Sequence, residues 1–237
     1  MVYLKGRIIT NGKSFKRMGD FEYIKKNLER IQNEICGRAT LVCVSKSASD
    51  DELINLVRLG VSDIAENRPQ ELSRRHELLK SAGLSVNMHQ IGTLQRNKVK
   101  LVVPFCKTIQ SLDSVRLADE ISKCARKQGR TVDVLVEINS AREEQKSGIM
   151  PEELSAFLDY VEGLESVSVC GLMTMGPVCE SPEELRPYFK ETKRLFDENI
   201  SRFGKSPILS MGMSESYLTA IEEGANLVRI GRALFVK

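Results

Sequence analysis

Long apolar runs are missing from this chain. No stretch approaches the roughly 18–20 consecutive apolar residues of a membrane span, and the N-terminus has no apolar core of the signal-peptide kind. Both absences point to a cytoplasmic protein without a membrane partner. Charge of one sign is lacking too: 35 lysines and arginines face 32 acids, a formal net charge of +3, and the charges are spread evenly. That balance excludes a polyanion footprint, so nucleic acid is not an expected partner. Metal-binding side chains are sparse, with two histidines, His76 and His89, and six cysteines that form no CxxC pair. No metal centre is expected. Cys36, Cys43, Cys106, Cys124, Cys170 and Cys179 read instead as reduced packing residues. Neither GxGxxG nor GxxxxGK[ST] occurs, which removes the usual glycine-rich nucleotide turns.

What the chain has is alternation. Its 237 residues, 41% of them hydrophobic, suffice for one large domain or two small ones. Residues 1–19 are basic, contain Asn11–Gly12 and lack lasting periodicity, so they read as a loose arm or short hairpin preceding a folded unit at 20–237. From Asp20, a candidate N-cap, Ile24, Leu28, Ile31 and Ile35 recur at helical spacing up to Gly37. Strand-like runs follow at 40–44, 62–65, 86–91, 107–110, 132–138, 167–174, 207–210 and 226–230. Helical segments separate them at about 50–59, 69–82, 95–102, 113–128, 151–162, 182–203 and 215–223, with Asp50 or Asp51 and Asp113 as expected caps. Eight strands separated by helices require a parallel sheet with right-handed crossovers, which favours a closed (β/α)8 TIM barrel. A doubly wound open sheet is the competing topology.

In such a barrel the chemistry gathers where the strands end. Lys46 follows the first strand, where loss of hydration would depress its pKa and make it a candidate Schiff-base amine; a salt-bridged or phosphate-binding lysine is the plainer reading. Ser210-Met211-Gly212-Met213-Ser214-Glu215 ends a strand and opens a helix, and Arg229-Ile230-Gly231-Arg232 ends the last strand with a glycine. Together they suggest a phosphate cup. An amine opposite a phosphate cup suits a ligand with an aldehyde and a phosphate, such as pyridoxal 5′-phosphate or a sugar-phosphate aldolase substrate. Glu66 and Glu137 read as salt-bridge partners, His89 as a hydrogen-bonded core histidine, and Arg74-Arg75-His76 and Lys123, Arg126, Lys127 and Arg130 as solvated helix faces.

Several short motifs stand in one order. They are Val44-Ser45-Lys46, Ala65-Glu66-Asn67, His89-Gln90-Ile91-Gly92, Ser111-Leu112-Asp113, Lys146-Ser147-Gly148, Gly171-Leu172-Met173, Ser210 to Ser214, and Val228-Arg229-Ile230-Gly231. This series resembles the pyridoxal phosphate homeostasis proteins, single-domain relatives of the alanine racemase N-terminal barrel, over about residues 20–235. The resemblance implies a barrel of that type without the C-terminal β-domain. It also implies a protein of vitamin B6 homeostasis that holds pyridoxal 5′-phosphate reversibly as a Schiff base on Lys46.

By the same resemblance, Met213, Ser214, Gly231 and Arg232 hold the phosphate, Arg229 faces the pyridine nitrogen, and Asn67 and Met173 lie near the ring. A guanidinium at that nitrogen weakens the ring as an electron sink. Racemases overcome this with a tyrosine base from a C-terminal β-domain and a partner subunit, whereas here the chain stops at Lys237. None of Tyr3, Tyr23, Tyr160, Tyr188 and Tyr217 matches that base by position. The expectation is a monomeric carrier, with transient delivery to pyridoxal-phosphate-dependent apoenzymes, in preference to a weak racemase, a Schiff-base aldolase or a scaffold. Lys146 is the rival anchor. Departures from the family pattern are the basic arm, Gln90 where an aromatic or aliphatic residue is usual, and the finish soon after Phe235.

Overall fold

The apolar periodicities sort into alternating elements in a computed structural model, which describes residues 21–237 and, before them, three short strands, β1 (Val2–Leu4), β2 (Arg7–Thr10) and β3 (Lys13–Phe15). These three form an antiparallel sheet in the order β1-β2-β3. The cap expected at Asp20 lies outside the described residues. Helix α1 (Glu22–Ile35) buries Ile24, Leu28, Ile31 and Ile35, a stripe whose burial contributes about 1.5–3 kcal/mol per side chain. It ends at Cys36 in the left-handed conformation.

Eight parallel strands then close into a barrel: β4 (Thr40–Val44), β5 (Asp63–Glu66), β6 (Asn87–Gln90), β7 (Cys106–Leu112), β8 (Val132–Ile138), β9 (Val167–Thr174), β10 (Ile208–Ser210) and β11 (Leu227–Ile230). β11 pairs with β4 from Leu227↔Thr40 to Ile230↔Cys43, which seals the cylinder and rules out the open sheet. Strand side chains alternate between its two faces. Cys43, Ile64, Met88, Ile109, Val134 and Val228 join the large core beneath the helices, while Val42, Val44, Ala65, Ile91 and Leu227 form a separate small apolar cluster.

The intervening helices are α2 (Asp50–Arg58), α3 (Pro69–Ser81), α4 (Val99–Val102), α5 (Val115–Lys127), α6 (Leu154–Glu162), α7 (Arg186–Glu198) and α8 (Tyr217–Glu222), followed by α9 (Arg232–Phe235), which the sequence pattern did not reveal. Several boundaries differ from expectation. The cap of α2 is Ser49, in a reciprocal capping box with Glu52, so Asp50 is free to meet arginines. Ser114 stands at the cap position of α5, and the Asp113 carboxylate instead accepts the Ser114 hydroxyl at 3.0 Å. The single helix expected over 182–203 is divided into a 3-10 turn Pro182–Leu185, α7 and a second 3-10 turn Ile200–Arg202. The helix expected from Glu215 begins at Tyr217, after a turn over 214–216. No helix among the described residues is long and apolar enough to cross a membrane.

Candidate functional site

The C-terminal ends of β4, β11, β10 and β9 lie side by side and bring most of the expected residues to one part of the rim. Gly231 follows β11 next to β4: a Cβ there would meet Val44 O at 3.1 Å, two residues ahead of Lys46. Lys46 sits in an exposed turn beyond β4. The loss of hydration expected for it is not met, because the strand ends at Val44 and the side chain starts at the open rim.

That turn is clamped from below. Ser45 N donates to Ala65 O at 3.0 Å, Ser45 Oγ donates to Glu66 Oε1 at 2.6 Å, and Arg75 donates to Ala48 O and to Asp50. Glu66 and Arg75 also approach to 3.8 Å, so Glu66 is the ion-pair partner that was expected. Arg75 is not: its side chain is 5% exposed rather than part of a solvated face, because α3 turns it inward against the Lys46 loop. Burial pushes the Glu66 carboxyl up, against the opposing Ser45 hydrogen bond and Arg75 charge.

The cup is built from backbone. Gly231 N and Ala233 N both donate to Ser214 Oγ at 3.3 Å, so two N–H groups at the start of α9 converge on one oxygen. Gly212 has φ +87°, and a Cβ on it would lie 2.6 Å from Ala220 Cβ. Its carbonyl accepts from Arg229 N at 3.1 Å, which ties the loop after β10 to β11. Arg232 contributes no side chain to the cup, because its guanidinium pairs at the surface with Glu215 at 2.9 Å. The Met213 side chain is exposed, while its N–H donates to Ser216 Oγ at 3.2 Å. Asn67 is exposed at the end of β5, and its carbonyl accepts from Gln90 Nε2 at 2.8 Å. Met173 is fully buried beside Ser210 and Glu137 in the strand register.

Inside the barrel Arg229 is 2% exposed. It donates to Ser210 Oγ and, at 2.9 Å, to Thr174 O. Burial lowers its guanidinium to about 10, against the opposing charge of Glu137. Glu137 forms no ion pair among the described residues, contrary to the salt-bridge expectation. Its Oε1 accepts from Ser147 Oγ at 3.3 Å, and its buried Oε2 has no partner. Burial first and the Asp113 charge second raise it to about 7. His89 is the hydrogen-bonded core histidine that was expected, 3.0 Å from Asp63 Oδ1. Lys146, the rival anchor, pairs with Glu143 at 2.5 Å in the loop after β8.

Two further expectations change. Cys43 and Cys106 are buried packing residues, but Cys36 is exposed because it caps α1. Arg130 lies past the end of α5, not on a helix face, and donates to the carbonyls of Val103 (2.6 Å) and Cys106 (2.8 Å). The N–H of Ala233 and the barrel residue Gln110 were not singled out from sequence, and Ser45, Arg75 and Thr174, which fall in segments that were, had no part in the site assigned to them.

A primary amine, two N–H groups aimed at one oxygen, a close-packed glycine and a buried guanidinium suit a phosphate-bearing aldehyde such as pyridoxal 5′-phosphate. The family model described as alanine racemase, N-terminal domain, matches residues 20–237. A pyridoxal phosphate homeostasis protein of Aquifex aeolicus is 42% identical over 225 residues, covering 92% of this chain and 98% of the relative. One from Helicobacter pylori strain 26695 is 36% identical over 197 residues, covering 82% and 86%. Among solved structures, PipY of Synechococcus elongatus PCC7942, determined with PLP bound, superposes with a TM-score of 0.81 at 26% identity over 90% of this chain and all of that one.

Proposed function

The chain belongs to the alanine racemase N-terminal domain family, and from that premise we propose that it binds pyridoxal 5′-phosphate reversibly and serves the homeostasis of that cofactor. The observation that carries the proposal is the meeting of the Lys46 turn with the converging Gly231 and Ala233 N–H groups at one sector of the rim. The names of the relatives and the PLP-bound PipY structure support it.

When bound, pyridoxal phosphate supplies an aldehyde that condenses with a primary amine with loss of water, and hydrolysis reverses the linkage. Lys46 provides that amine. Gly231, Ala233 and Ser214, with the backbone of Met213 and Arg232, bind the phosphate at the start of α9, where N–H groups that already converge on the Ser214 oxygen favour an anion. Arg229 presents its guanidinium to the pyridine nitrogen, and Asn67 and Met173 flank the ring. Lys146 is engaged by Glu143 and lies outside this arrangement.

The proposed role is a carrier, acting as a cytoplasmic monomer that passes the cofactor to apoenzymes. The tyrosine hydroxyls of Tyr23, Tyr160 and Tyr217 are bound to Glu52, Asp119 and Glu34, which supports carriage over two-base racemisation. A guanidinium that is charged at neutral pH beside the ring nitrogen favours the same role.

The test is a visible absorption spectrum of the purified protein with added pyridoxal phosphate, before and after borohydride, with peptide mapping. A yellow species reduced onto Lys46 is expected. A chain that remains colourless overturns the proposal, and α-proton exchange of alanine with turnover would replace the carrier by a racemase.

A further inference from the structure

A chain of hydrogen bonds crosses the barrel interior beneath the mouth and joins five strands. Arg229 on β11 donates to Ser210 Oγ on β10, and Ser210 Oγ donates to Gln110 Oε1 on β7 at 2.8 Å. Gln110 Nε2 lies 3.3 Å from His89 Nδ1 on β6, and His89 Nε2 lies 3.0 Å from Asp63 Oδ1 on β5. All five side chains are buried.

The direction of donation is set from the arginine end. A guanidinium has donors only, so Ser210 Oγ accepts from it and directs its single proton to Gln110 Oε1. Gln110 must then turn its amide NH2 toward His89, and His89 Nδ1 must present a lone pair. The remaining ring proton lies on Nε2, facing the Asp63 carboxylate. A proton on Nδ1 would set two donors against each other where no exposed surface offers relief, which costs more than the loss of an ordinary hydrogen bond. The far end is well suited to remain anionic. Burial pushes the Asp63 carboxyl up, but hydrogen bonds from His89, Ser62 and Asn87 outweigh it and bring the group to about 2. The other charged groups on the strands around His89 are Glu66 on β5, Lys107 on β7 with its Nζ 4.0 Å from Asp63, and Asp133 and Glu137 on β8.

We propose that Gln110 and His89 are positioning residues for Arg229: the relay keeps His89 as the neutral Nε2–H tautomer and fixes the guanidinium through Ser210, leaving its remaining N–H groups to donate to an unprotonated pyridine nitrogen. The last step rests on the cofactor reading above, whereas the tautomer is a property of the chain alone.

The chain has two histidines, so His76→Gln leaves one imidazole to observe. Nitrogen-15 NMR of that variant at pH 7 is expected to show a protonated Nε2 and an unprotonated Nδ1. An imidazolium, or the opposite tautomer, overturns the relay. Gln110→Glu exchanges the amide donor for an acceptor, and the ring is then expected to become doubly protonated. In the same variant, titration with pyridoxal phosphate followed by absorbance is expected to show affinity about tenfold weaker and a shifted band, with borohydride fixation still on Lys46. Ser210→Ala, close in size, gives a second break in the relay, with the same weakening expected even if Gln110→Glu fails to fold. Wild-type affinity and spectrum in Ser210→Ala would overturn the positioning role. A wild-type chain that takes up no pyridoxal phosphate defeats both the cofactor reading and the positioning role, while the NMR spectrum still decides the tautomer.

Discussion

Ser45 donates its hydroxyl to Glu66 at 2.6 Å, binding the residue next to Lys46 to the neighbouring strand. Arg75 holds the other end of the turn through Ala48 O and stands 3.8 Å from the same carboxylate. The exposed lysine is thus carried on a loop whose support is buried and charged.

Arg75→Met is expected to destabilise the protein by about 3–5 kcal/mol, because it strands the Glu66 carboxylate and frees Ala48 O in a buried place. Urea denaturation measures the loss. Arg75→Met with Glu66→Gln should recover part of it, and equal stability of the single variant and wild type would remove the clamp.

Lys46→Ala is expected to abolish the borohydride-fixed adduct, while Lys146→Ala retains it. Peptide mapping of the two variants distinguishes the anchors directly.

Gly231→Ala places a methyl 3.1 Å from Val44 O, a contact the strand pairing of β11 and β4 cannot easily relieve. Overpacking should cost about 1–3 kcal/mol of stability. Because the strain falls on a cup N–H, affinity for pyridoxal phosphate should drop alongside, by equilibrium titration. Ser214→Ala should weaken binding while leaving the strand pairing, and hence the fold, unchanged by circular dichroism.

Glu137 carries a pH dependence with a definite sign. Its folded value of about 7 lies above the ordinary 4.5, so the folded state binds the extra proton. The associated stability is complete below about pH 4.5 and is lost as pH rises toward and through 7, to a total of about 3 kcal/mol. Stability of wild type relative to Glu137→Gln should therefore fall between pH 5 and 8 in denaturant titrations. A pH-independent difference would show that the unpaired carboxyl stays ionised.

How much was legible can be judged from particular elements. Strands 40–44, 132–138 and 167–174 match their apolar runs to the residue, since burial on both faces leaves a continuous signal with few alternatives. Helix ends were less legible. Ser49 wins the cap of α2 from two adjacent aspartates through its reciprocal bond with Glu52, and the 182–203 helix breaks into three although its apolar spacing continues. Of the site, the Lys46 position and the glycines at 212 and 231 were readable as local motifs, because each depends on its immediate chain neighbours.

By itself the sequence determined the alternating elements, the barrel they imply and the residues that finish each strand. Only the tertiary structure decided which polar groups meet. Arg75 reads as one more arginine on a charged helix, and only packing against the Lys46 loop buries it. Asp63, His89, Gln110, Ser210 and Arg229 are separated by up to 166 positions in the sequence (229 − 63) and share no local pattern. They become one chain of donors and acceptors because barrel closure brings five strands around a common interior, where unpaired polar groups are too costly to leave.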